Sequence, residues 1–137
     1  MVNTCEPHSI LVIDDTPVNL LVVEILLKKF WPECVIHKAE SGAHALQACH
    51  KNAYTLVLMD VVMPVMDGIE TTTRLLLPSF SSFANRPYVV GLTANVNPQD
   101  LDAFYKAGLS GLLLKPFNRD QLIGLIHQFL SNPVNRP

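Results

Sequence analysis

Charge is sparse in this sequence and nearly balanced. Ten Lys and Arg face twelve Asp and Glu among 137 residues, a formal net charge of −2, and no Lys/Arg block stands out. The electrostatic footprint that nucleic acid demands is missing, so direct nucleic-acid binding is not expected. No apolar run approaches the roughly 20 residues needed to cross a bilayer. Residues Met1–Ser9 lack the basic-then-apolar pattern of a signal peptide, so no membrane contact by this chain is expected. Cysteine is confined to Cys5, Cys34 and Cys49, an odd count with wide gaps and no C-x-x-C pair. That argues against a disulfide framework or a thiolate zinc site and fits a reducing, cytoplasmic setting. The five histidines (His8, His37, His44, His50, His127) show no metal-ligand spacing and read as surface residues.

What the chain has in quantity is apolar sequence, 49% against 16% charged. The apolar residues fall into short runs that alternate with helical patterns. Ser9–Ile13 reads as a strand closed by Asp14-Asp15. Thr16 supplies an N-cap candidate and Pro17 a first helical residue, with the helix running to about Phe30. Cys34–Lys38 is expected as a strand and Gly42–Lys51 as a helix. Thr55–Met59 is a strand ending at Asp60. Asp67 with Glu70 forms a capping-box-like start for a helix to about Leu77. Pro78–Pro87 is a loop, and Tyr88–Leu92 a strand. Asn97-Pro98 opens a helix ending near Ala107-Gly108, and Gly111–Leu114 is the fifth strand. Asn118 with Gln121 opens the last helix, which ends near Ser131.

Five β-α units without a hairpin signal, and strands apolar throughout, imply a parallel sheet covered by helices on both faces. The expectation is one doubly wound α/β domain over residues 1–137, with a core at about 9–131 and a tail at 132–137.

In such sheets ligands bind beyond the carboxyl ends of the strands. Here the strands end in Asp14-Asp15, Asp60, Thr93 and Lys115-Pro116. Two carboxylates about 4 Å apart repel by on the order of 4 kcal/mol at an effective dielectric near 20, so the cluster holds a proton or a cation. With hard oxygens and no His or Cys at a strand end, Mg²⁺ or Mn²⁺ is expected rather than zinc. Lys115 would be a point charge that pairs with Asp60 and then with a phosphoryl group. Thr93 and the Ala94 backbone N–H would donate to phosphoryl oxygens, with Asp60 as covalent acceptor.

Four segments then identify a family resemblance: ILVIDD (10–15), LVLMDVVMPVMDGIE (56–70), VVGLTAN (89–95) and LLLKPF (112–117). In this order they resemble the response-regulator receiver domain of two-component signalling, over about Ser9–Leu130. The resemblance implies a flavodoxin-like sheet in the order 2-1-3-4-5 with five helices, as in chemotaxis receivers. It makes Asp60 the phosphoacceptor. Asp14, Asp15, Asp60 and the Val62 backbone carbonyl become metal ligands, and Thr93 the switch hydroxyl. It also implies a cis Lys115–Pro116 bond, a loop shaped by Pro64 and Gly68, and a phosphorelay partner, either a histidine kinase or a histidine phosphotransfer domain. The chemistry implied is self-catalysed phosphoryl transfer and autodephosphorylation, not turnover of a separate substrate. Phosphorylation would bias a pre-existing minor arrangement of the loops and of the surface around the fourth helix and fifth strand. Leu112 stands where many members carry an aromatic that moves with the threonine, so that switch is not expected in its usual form. Val62 and Asn95 occupy positions that tune phosphoryl lifetime, and apolar Val62 predicts a long-lived phosphoryl group.

The wording of 57–75 resembles the receivers of hybrid sensor histidine kinases, which would make this chain the cytoplasmic part of a membrane sensor. A free-standing single-domain regulator is the alternative, and the expected lack of an output domain after Pro137 fits either reading. A phosphatase forming an aspartyl-phosphate is a distant one, because Val61-Val62 follow the acceptor where a second acid would be needed. Helix one carries two apolar stripes, Val18/Leu21/Val22/Ile25 and Leu20/Val23/Leu27. One covers the sheet; the other either packs on the last helix or docks a helical partner. Thr71–Thr73 is read as a helix surface.

Overall fold

The computed structural model describes residues 9–60, 68–76, 87–93, 98–114 and 118–130, the side chains at 98 and 100 aside. Strands and helices alternate without exception: β1 (Ser9–Ile13), α1 (Pro17–Phe30), β2 (Val35–Ala39), α2 (Gly42–Lys51), β3 (Leu56–Asp60), α3 (Gly68–Leu75), β4 (Tyr88–Thr93), α4 (Pro98–Ala107), β5 (Gly111–Leu114) and α5 (Arg119–Leu130). The five strands form one sheet in the order β2-β1-β3-β4-β5. Every neighbouring pair is parallel. The expected fold class and strand order are therefore met.

Side-chain alternation along the strands divides the core in two. Leu11, Ile13, Val57, Met59 and Val89 face one side, where Ala45, Leu46 and Cys49 of α2, Leu75 of α3 and Phe104 of α4 cover them. Ile10, Val12, Leu56, Leu58, Val90 and Leu92 face the other, covered by Leu20 and Leu27 of α1 and Leu122, Ile126 and Leu130 of α5. The central strands are buried on both faces, which is why they read as unbroken apolar runs.

Boundaries differ from the sequence reading by a residue or so. The Cys34 N–H donates to the Trp31 carbonyl at 3.0 Å, closing a turn that delays β2 to Val35. Two helix ends match in mechanism. At α5 the Gln121 N–H donates to Asn118 Oδ1 at 2.8 Å, and the Asn118 N–H donates back to Gln121 Oε1 at 2.9 Å, a reciprocal capping box. At the end of α4 Gly108 has φ +113°, a conformation that favours glycine. The N–H groups of Gly108 and Leu109 donate to the carbonyls of Tyr105 and Phe104, a Schellman closure.

Three expectations need correction or placement. The stripe Leu20/Val23/Leu27 is the one that covers the sheet, whereas Val18, Leu21, Val22 and Ile25 are each more than half exposed. Thr71 and Thr72 are fully buried, so only Thr73 of that trio lies on a helix surface, with its hydroxyl bonded to the Ile69 carbonyl. Asp67 and the loop 78–86 lie outside the described residues.

Candidate functional site at the carboxyl ends of the strands

Parallel register places the candidate residues. Ile13 of β1 pairs with Met59 of β3, so Asp14 and Asp60 each stand one step further along adjacent strands. Asp60 in turn pairs with Leu92 of β4, one residue before Thr93. Neighbouring strands run about 4.8 Å apart, which brings the side chains at these ends together without any special loop geometry.

Carboxylate oxygens of Asp14, Asp15 and Asp60 all lie within 4.8 Å of one another. Asp14 is buried, Asp60 half-buried and Asp15 exposed. Each such pair repels by on the order of 3–4 kcal/mol at an effective dielectric near 20, less where solvent reaches it. An all-oxygen donor set of mixed exposure fits a hard divalent cation that keeps some of its waters.

Asp14 is held by its own chain. Its N–H donates to the Ala39 carbonyl at 3.1 Å, tying it to β2. Oδ1 accepts from the Thr16 N–H at 2.9 Å and Oδ2 from Asn19 Nδ2 at 3.2 Å. Thr16 stands at the N-cap in extended conformation, yet its hydroxyl makes no capping bond. Asp14, two residues earlier, takes up the start of the helix instead.

Thr93 is buried, 2% exposed, at the end of β4. Leu112, at the position of the expected aromatic, is half-buried against the α2–α3–α4 side of the core. Val62, Ala94, Asn95, Lys115 and Pro116 lie outside the described residues. A groove of about 740 Å³ is lined by Asp14, by Val22, Ile25 and Lys29 of α1, and by Arg119 and Leu122 of α5.

The described histidines are exposed, as expected. His37 nevertheless has a specific contact, Nδ1 lying 2.6 Å from the Tyr54 hydroxyl. Burial pushes the Tyr54 phenol above its ordinary value; the neighbouring Cys49 adds to the shift, and a hydrogen bond with Asn52 opposes it. These groups belong to the region of β2 and α2, not to the acidic cluster.

The model of the response regulator receiver domain matches residues 10–127. The chain belongs to the response regulator receiver family. The receiver is 33% identical over 122 residues to the rice two-component response regulator ORR41, covering 88% of this chain and 92% of that protein. It is 30% identical over 125 residues to the transcription factor SKN7 of Saccharomyces cerevisiae, covering 91% of this chain and 19% of that one. Among solved structures it is similar to the receiver domain of a Pseudomonas aeruginosa sensor histidine kinase, with a TM-score of 0.77 and 28% identity. That match covers 91% of this chain and 98% of the other, which carries a magnesium ion in its active-site cleft. The chain spans about a fifth or less of the length of the first curated relatives it matches. Among the described residues, no helix is long and apolar enough to cross a membrane.

The sequence reading named all three clustered carboxylates and missed Asn19. A signal was available: Asn19 is the lone amide within the apolar stretch PVNLLVVEILL, in the first turn of the helix that follows the acidic pair.

Proposed function

We propose that Asp60 is the phosphoacceptor of this receiver and takes its phosphoryl group from a phosphohistidine on a histidine kinase or histidine phosphotransfer domain. The observation that carries this reading is the clustering of Asp14, Asp15 and Asp60 within 4.8 Å at the carboxyl ends of β1 and β3. An Asp60 carboxylate oxygen attacks phosphorus, the P–N bond breaks, and its electron pair returns to the imidazole. Asp14, Asp15 and Asp60, with the Val62 carbonyl, would hold Mg²⁺ or Mn²⁺, which supplies charge neutralisation to the phosphoryl in transit. Thr93, the Ala94 N–H and Lys115 would receive the phosphoryl oxygens. The chemistry is self-catalysed transfer and autodephosphorylation, with apolar Val62 favouring a slow loss.

Docking of the donor is assigned to the exposed stripe Val18/Leu21/Val22/Ile25, of which Val22 and Ile25 share a groove with Asp14. Similarity to a sensor-kinase receiver supports placing this domain within a hybrid sensor histidine kinase. The rice regulator, matched over nearly its whole length, supports the free-standing alternative.

The test is intact mass after incubation with Mg²⁺ and a small-molecule phosphodonor. One phosphate adduct is expected, blocked by EDTA and absent in Asp60→Asn. An adduct that persists in Asp60→Asn overturns the assignment.

A further inference from the structure

We infer that Asn19 is a positioning residue for the cation site, holding Asp14 ready to ligate. The inference rests on the reading of Asp14, Asp15 and Asp60 as metal ligands and extends it to a residue which that reading leaves without a role.

Asp14 presents two oxygens with about four lone-pair positions. Among the described residues, one oxygen accepts from the Thr16 N–H and the other from Asn19 Nδ2. Both donors come from the start of α1, one the backbone N–H of its N-cap Thr16 and one a side chain in its first turn. Two donors on two oxygens fix the plane of the carboxylate as well as its position, which either one alone would leave free to turn. A lone-pair position remains on each oxygen for the cluster shared with Asp15 and Asp60.

The asymmetry of the cluster adds to the argument. Asp15 is exposed and Asp60 half-buried, whereas Asp14 is buried and is bonded to β2 as well as to α1. Asp14 is therefore the fixed corner of the cluster, and among the described residues Asn19 is the side chain bonded to its carboxylate. Asn19 itself is exposed, lines the α1–α5 groove and stands in the third helical position. Alanine is the best helix former there, so its loss threatens the fold little. Were Asn19 merely a surface polar residue, nothing would require its amide nitrogen to face a buried carboxylate.

Groups that orient a metal ligand typically change affinity by 10–100-fold when removed. The experiment compares the wild-type chain with Asn19→Ala and Asn19→Gln. Mg²⁺ affinity is read by titration calorimetry, the Mg²⁺ dependence of phosphorylation by a small-molecule donor, and folding by circular dichroism. Asn19→Ala is expected to weaken Mg²⁺ binding about 10-fold, the low end of that range for an exposed amide. The Mg²⁺ concentration that half-saturates its phosphorylation should rise in parallel. Asn19→Gln, which keeps the amide donor, should recover most of the affinity.

Unchanged Mg²⁺ affinity in Asn19→Ala, with wild type binding normally, overturns the inference alone. An Asn19→Ala chain that does not fold overturns it too, in favour of a structural role. A wild-type chain that takes up no Mg²⁺ overturns the reading of the acidic cluster itself.

Discussion

The Thr72 hydroxyl is fully buried in α3, without a hydrogen-bond partner among the described residues. A buried hydroxyl left in this state costs roughly 1–3 kcal/mol in lost hydration. Thr72→Val keeps the branched shape and removes the polar atom, so it should stabilise the receiver by about 1 kcal/mol, read by urea unfolding. Cys49 gives the opposite lesson, a reactive group kept inert. Burial alone pushes its thiol up to about 12 from an ordinary 9.0. The folded thiol therefore stays protonated while the unfolded one ionises first. Its contribution to stability is complete below pH 9 and declines as pH rises from there toward 12. Maleimide should label Cys49 in urea and spare it in the native chain, so rapid native labelling would contradict the packing described here.

Among the elements, α1 is held to β2 by charge as well as by its apolar stripe. Glu24 accepts from Lys38 Nζ at 2.8 Å and Lys28 Nζ at 3.1 Å. The Lys38 hydrogen bond, then that of Lys28, holds the Glu24 carboxyl below its ordinary 4.5. A depressed carboxyl stabilises the fold above its unfolded value, and that contribution is lost as pH falls through the folded one. The lysines are substantially solvent-exposed, so the whole contribution should stay below about 1 kcal/mol. Glu24→Gln should accordingly lose stability at pH 7 and match wild type at pH 2, where both side chains are neutral; an equal gap at both pH values would rule the ion pair out. The α5 cap is worth more. Asn118→Ala removes one half of a reciprocal pair and should cost about 1 kcal/mol, seen as a lower urea midpoint with unchanged slope.

For the whole molecule, the acidic cluster sets function against stability. Three carboxylates within 4.8 Å repel one another, and a bound cation would offset that repulsion. Mg²⁺ at about 100 times its dissociation constant should therefore stabilise the chain by about 2.7 kcal/mol, removable with EDTA. Asp15→Asn takes away the exposed member of the cluster. It should raise stability in EDTA by about 0.5 kcal/mol, since solvent screens that corner, and shrink the gain on adding Mg²⁺. Denaturation with and without metal reads both signs at once, and a variant less stable in EDTA would show that repulsion is not the dominant effect.

Much of this architecture was legible in the amino-acid order. Apolar runs of strand length, separated by helical patterns and ended by Asp14, Asp60 and Thr93, dictate a parallel sheet with polar groups at one rim. Local chemistry marked the ends of α4 and α5, because Asn118, Gln121 and Gly108 act within a few residues of themselves. What remained for the tertiary structure was rotation and reach. Helical periodicity states which residues share a face, but not which face meets the sheet. Both stripes of α1 qualified, and packing against Leu122 and Ile126 of α5 and the even face of β1 chose Leu20 and Leu27. The same limit hid the burial of Thr71 and Thr72, whose face of α3 turns inward. Asn19 escaped for a related reason: its bond to Asp14 spans a turn whose path only the folded backbone defines.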